Sequence, residues 1–379
     1  MLAVKTWLSA GLCLTCFLSF PSEPLTAPRP PAGQKIEVKT EGGVIVVRNP
    51  KVPVPQPGGP SELVLREELI IGKEPAGGSP LFGELRSLGV DDRENIWTLD
   101  WEDDKVRVFD KTGRLISTFG EKGQGPGEWE NPQRMVVTPE GTGIILDTRK
   151  LAFHSLNGHC LKEVSTAKAQ IFRFKIDSRG MIYADEMGFD EKLVLKLVKY
   201  DPELKPLATL AEVEEPFQAN TVSPFPIIIY CHVTADDRVI WMSNTKYEFS
   251  VLEPDGKLVR RIVKGHERIK ITEADKKRIL EERYSDAPFR SQIVFPDDFP
   301  PLYFFIGDPE GRLYARTYET DERGWWLYDV FDTEGRCITR FSLPEEEMAF
   351  VVRKDKLYAL IQEDANAIPL VKRYAMEWK

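Results

Sequence analysis

Three arginines stand at or near the starts of predicted strands in this chain: Arg86, Arg134 and Arg173. Tyr230, His232 and Tyr303 fall at comparable places further on. A guanidinium is a planar fork of donors that meets a carboxylate, phosphate or sulfate bidentately, and tyrosine rings offer a stacking surface. Were these six side chains to converge, they would form a ligand-binding site for an anion. The same side chains could instead bridge neighbouring parts of the fold through buried ion pairs and backbone carbonyls. Strand side chains alternate, so a shift of one residue decides between the two.

Other chemistry is less well supplied. Of the four histidines, His154, His159, His232 and His266, only His232 falls on a predicted inner strand, so a three-histidine zinc site is not expected. Glu84, Glu128 and Asn131 are the oxygen donors a divalent cation would take, but they come from two adjacent segments only. The glycine-rich stretch Gly120 to Gly127 lacks the lysine and hydroxyl residue of a phosphate-binding loop, and reads as a turn between strands. Cys160, Cys231 and Cys337 are widely spaced, and their odd number leaves at least one free thiol. Catalytic residues, metal ligands and cofactors are therefore assigned to none of these positions.

The chain has 379 residues, 42% of them apolar, with a net charge of −9. That is enough apolar content for a core, and the mixed, acidic charge argues against a nucleic-acid partner. Lys5, the apolar run Trp7 to Phe20 and the breaking residues Pro21, Ser22 and Pro24 follow the order of a secretory signal. Residues 1–27 are read as a signal peptide, or else as an N-terminal membrane anchor. The protein is then exported, periplasmic or extracellular. No later segment is apolar enough over the roughly 18 residues a spanning helix needs.

Residues 28–62 form a Pro/Gly-rich linker in which Ile36 to Thr40 and Val44 to Val47 flank Gly42-Gly43 as a short β-hairpin, expected on or beside the main domain. From residue 63 onward one unit recurs. Its second strand is anchored by Ile96-Trp97, Ile144-Ile145, Ile182-Tyr183, Val239-Ile240, Leu313-Tyr314 and Leu357-Tyr358. Polar turns such as Asp177-Ser-Arg-Gly180 precede most anchors, and turns such as Asp110-Lys-Thr-Gly113 place glycine where a hairpin needs positive φ. Six such copies, each able to bury its faces only against its neighbours, predict an all-β six-bladed β-propeller of four-stranded blades over residues 63–379.

The sixth copy stops after three strands, and Leu63 to Ile71 can supply the fourth. Gly72 to Arg86 after that strand and Gly120 to Arg134 after the first copy are loops of equal length and similar composition. The propeller is thus predicted to be closed by an N-terminal strand, with no open seam. Between the fourth and fifth copies, Thr272 and Asp275 open a helix-favouring run to Tyr284, predicting one short helical insertion at about 266–300.

Gly123-Gln-Gly125-Pro-Gly127-Glu-Trp129, with Lys105 to Asp110 and Gly113 to Gly120 before it, resembles NHL-type repeats, especially those of bacterial exported six-bladed propeller proteins. The resemblance covers residues 63–140 most closely. It implies a ring with a central channel whose mouth can hold a ligand, and it transfers no catalytic signature. The expected function is binding, of a small molecule, glycan or protein. The alternative is a metal-dependent hydrolase or lyase, lactonase-like or NHL-lyase-like, using the central channel.

Overall fold

The computed structural model describes residues 35–73, 80–189, 192–215, 221–362 and 368–379; the expected signal segment lies outside them. Six blades are present, each built on four antiparallel strands, and the inner strand of each touches the inner strands of its two neighbours, which closes the ring. The inner strands are Leu85–Val90, Arg134–Val137, Ile171–Ile176, Ile229–Val233, Phe304–Gly307 and Glu347–Arg353, and they define blades 1 to 6 in that order. Six buried clusters occupy the six blade boundaries. The anchor aromatics Trp97, Tyr183, Tyr314 and Tyr358 are fully buried in them.

The polar turn and the anchor act together. Asp91 accepts hydrogen bonds from the backbone N–H groups of Arg93 and Asn95, both at 2.9 Å, and from the Trp97 indole at 3.3 Å. Asp177 does the same for its own turn and takes the Tyr183 hydroxyl at 3.1 Å; Asp308 repeats this with Tyr314. One carboxylate thus shapes the turn and satisfies the buried tip of the aromatic that seals the blade boundary. At the other end of the blades, Asp100, Asp147, Asp185 and Asn244 accept backbone N–H groups from the chain entering the inner strand. These four latches hold the starts of the inner strands of blades 1 to 4.

Closure follows the expected strand. Leu63–Ile71 pairs antiparallel with Leu370–Trp378 as the outer strand of blade 6, from Trp378 opposite Leu63 to Val371 opposite Ile71. Gly72 and Gly120, which end the matched outer strands, both have positive φ, 103° and 110°. A Cβ on Gly72 would stand 3.0 Å from the Phe82 ring, and one on Gly120 would stand 2.2 Å from that of Trp129. Each loop therefore folds an aromatic plug under its own glycine.

The hairpin of residues 28–62 is more than a neighbour. Val44–Asn49 lies parallel to Leu258–Lys264, and with Glu37–Glu41 it extends blade 4 to six strands. Val46 and Val47 are buried, and Asn49 bonds both Gly335 O, at 2.9 Å, and Cys337 N, at 2.7 Å, across on blade 5. Beneath it the buried Asp329 receives Lys264 at 3.2 Å, Arg340 at 2.7 Å and the Tyr247 hydroxyl at 2.6 Å. Burial alone would raise the Asp329 pKa, but Lys264 and Arg340 outweigh it and hold the carboxylate below its usual range. Cys160, Cys231 and Cys337 are all free.

The insertion contains one helix, Glu273–Tyr284, started by a capping box between Thr272 and Asp275. Ile279 is its only buried residue. The chain after it is tied by Val222 to the lead-in of blade 4, and Arg278 reaches Glu345 at 3.0 Å ahead of blade 6. Among the described residues no helix is long and apolar enough to cross a membrane.

Candidate functional site at the channel mouth

All six inner strands start on one face, where the outer-to-inner connections, the latches and the helical insertion also lie. The side chains at this mouth divide into two arcs. Blades 1 to 3 bring arginines, and blades 4 and 5 bring aromatic rings.

Arg86 is occupied locally. Its Nε donates to Glu84 Oε1 at 2.7 Å, its Nη1 to Gln133 Oε1 at 3.2 Å, and its guanidinium lies 4.2 Å over Trp101. Arg173 is paired through Nε to Asp185 at 2.9 Å and stacks 4.6 Å over the Tyr230 ring. Arg134 differs. Among the described residues, no carboxylate or hydrogen-bond acceptor meets its guanidinium, although it remains open to solvent. The surrounding protein lowers its pKa first, and the neighbouring cations Arg173 and Arg86 lower it further.

Tyr230 stands between Arg173 and Phe304, whose ring centroid is 6.2 Å away. Burial raises its hydroxyl pKa. Tyr303 meets Phe304 and Tyr318 edge-on, both at 5.5 Å, and carries the Arg316 guanidinium at 4.4 Å. Phe299 stacks on Tyr318 at 4.8 Å, and Phe225 closes the group at 5.3 Å from Phe299. The hydroxyls of Tyr230, Tyr303 and Tyr318 have no hydrogen-bond partner among the described residues.

His232 sits apart from both arcs. Its Nε2 is 2.8 Å from the Asp308 carbonyl, which accepts from it, and its ring fills the space beside Gly307, where a Cβ would come within 2.4 Å. Burial first, then Lys175, pulls its pKa down to about 4, so the imidazole is neutral at pH 7 and packs blade 4 on blade 5. His154 stacks on Phe119 at 5.3 Å, between blades 1 and 2. The oxygen donors of the loops do not meet. Glu84 serves Arg86, Glu128 holds Gly125 N at 2.8 Å, and Asn131 accepts the Trp101 indole at 2.6 Å.

Three residues of this region escape the sequence reading. Lys175 is two positions beyond Arg173 on the same strand, and simple alternation would have found it. Arg316, held between Tyr303 and Trp326 at 4.4 and 4.7 Å, has a buried Nε with no acceptor. Tyr318 lies on the same second strand of blade 5, which carries no inner-strand signal. The result is a mouth rich in donors and poor in free acceptors. On the opposite face, an open depression of about 440 Å³ is lined by Gln56, Arg312, Asp332, Arg336, Asp355 and Trp378. Its arginines are paired: Arg336 with Asp332 at 2.7 Å, and Arg312 with Asp308 at 3.3 Å.

Comparison with known proteins bears on the fold. A domain family, DUF5128, described as a 6-bladed beta-propeller, matches residues 79–240. A solved structure from Bacteroides fragilis, of a protein provisionally named as exported, is 11% identical, covering 88% of this chain and 99% of its own, with a TM-score of 0.52. A member of the DUF4221 family from Bacteroides vulgatus is also 11% identical, over 84% of this chain and 99% of its own, with a TM-score of 0.50. No curated protein matches the chain. At such identities the likeness is one of architecture, and the chain is a six-bladed β-propeller similar in fold to both.

Proposed function

We propose that this chain is an exported binding protein whose ligand is anionic and is held at the channel mouth by Arg134, with Arg173 and Arg86 as flanking cations and Tyr230 and Tyr303 as a stacking surface. The observation that carries this reading is the Arg134 guanidinium, which among the described residues makes no ion pair or hydrogen bond while Arg173 and Arg86 stand near it and the nearby Asp185 is already taken by Arg173. A guanidinium without a partner, beside two further cations, attracts an anion, and the charge-assisted hydrogen bonds of its planar fork are strong. The order of residues 5–24 supports export.

The test is titration calorimetry with a panel of carboxylated, phosphorylated and sulfated small molecules and acidic glycans. At least one class should bind, and more weakly as ionic strength rises. Arg134→Ala should weaken that binding by about tenfold or more. Unchanged affinity in a folded Arg134→Ala protein would remove this placement of the ligand.

A further inference from the structure

Below the mouth lies a second cation with no partner. Lys175 is on the inner strand of blade 3, about 7 Å further along the backbone than Arg173 by the rise of two strand residues. Two residues apart, they share a side of the strand; Arg173 stacks over Tyr230, and Lys175 stands close enough to act on the charge states of Cys231 and His232, all of blade 4. The intervening Phe174 is buried toward blade 2. Lys175 is open to solvent on an inner strand of a closed ring, the position of a side chain that lines the channel.

Nothing around Lys175 balances its charge. Among the described residues it has no carboxylate partner and no hydrogen-bond acceptor. Cys231 is a neutral thiol, because burial pushes its pKa up to about 12, and His232 is neutral. Arg134 is a further positive charge. The enclosure of Lys175 and this neighbour both lower its pKa. The channel therefore holds two cations without an ion-paired or hydrogen-bonded partner among the described residues, one at the mouth and one within.

We infer that the ligand is a small dianion, with one acidic group at Arg134 and the other reaching down the channel to Lys175. This rests on the anion-binding reading above and specifies it. A monoanion at Arg134 leaves the ammonium unrelieved, whereas two acidic groups on one molecule satisfy both cations for a single loss of translational freedom. The three free tyrosine hydroxyls above can donate to remaining oxygens at the mouth.

The experiment compares linear dicarboxylates of increasing chain length with monocarboxylates of matching length, by calorimetry on the purified protein. Some dicarboxylate should bind about tenfold or more tightly than any monocarboxylate. Lys175→Met should erase that advantage and weaken monocarboxylate binding by no more than about threefold, the loss of one cation's screened field, while Arg134→Ala weakens both classes by about tenfold or more. Ligand-free Lys175→Met should melt no lower than wild type, which separates loss of the subsite from loss of the fold. Monocarboxylate binding with no dicarboxylate advantage at any length would overturn the dianion while leaving the anion site standing. A dicarboxylate advantage that survives Lys175→Met would likewise overturn the role of Lys175. Absence of binding by every carboxylate, phosphate and sulfate would overturn both.

Discussion

Arg86 and Arg134 end matched loops at matched positions, yet one is paired and the other is not. Two residues before Arg86 stands Glu84, which takes its Nε at 2.7 Å. Two residues before Arg134 stands Pro132, which is buried and has no side-chain acceptor to offer. Trp101 gives Arg86 a stacking face as well. Blade 1 therefore uses its arginine to join itself to blade 2, while blade 2 leaves its arginine to the channel. Repetition places the residue; the neighbour two positions away decides whether it is structural or available.

This contrast can be broken in order of expected effect. Arg134→Ala, measured by calorimetry, should lose about tenfold or more in anion affinity, whereas Arg86→Ala should lose no more than about threefold. Equal losses would mean that the two sites are not distinguished by pairing. Gln133→Glu keeps the shape of the side chain that accepts Arg86 Nη1 at 3.2 Å but adds a negative charge at the mouth. Anion affinity should fall by about fivefold and recover in part at high salt, since the added charge acts through a screened field.

Glu84→Ala tests the same idea in the opposite direction. Releasing Arg86 from its carboxylate should raise anion affinity by about twofold; a decrease would show that Glu84 orients the site instead of shielding it. The smallest effect on binding is expected at His232. His232→Gln should leave affinity within about twofold, and its signature should be in stability. The folded-state pKa of about 4 lies below the unfolded value of 6.5. Stability from the neutral imidazole is thus present above pH 6.5 and is lost as pH falls from 6.5 toward 4. Chemical denaturation should show wild type losing on the order of 2–3 kcal/mol more than His232→Gln across that interval. Parallel pH profiles would contradict the buried placement.

Much of the architecture was legible because it repeats. The closing strand Leu63–Ile71 could be found from its loop, as Gly72 and Gly120 do the same work under Phe82 and Trp129. The capping box at Thr272 was readable because it needs only residues three apart. Legibility failed where the deciding partner is distant. The hairpin of residues 37–49 reads in sequence as a short β-hairpin on or beside the main domain, but not where it pairs: its parallel pairing joins Asn49 to Lys264, and Asn49 then bonds blade 5 at Cys337. At the site, Arg86, Arg134 and Arg173 look alike in sequence. Asp185, which pairs Arg173, comes from the next strand, and no local pattern shows that Arg134 lacks such a partner. Lys175 was within reach of strand alternation, but its isolation depends on Cys231 and His232 being neutral, which follows only from their burial.

The central claim is that the uncompensated cation at the mouth is where an anion binds. Selenate is a tetrahedral dianion with strong anomalous scattering, and crystals of the protein grown or soaked with it would locate the site directly. The account predicts an anomalous peak within hydrogen-bond reach of the Arg134 guanidinium, and no such peak in Arg134→Ala crystals. Peaks confined to the depression on the opposite face, or an unchanged peak at the mouth after Arg134→Ala, would contradict it.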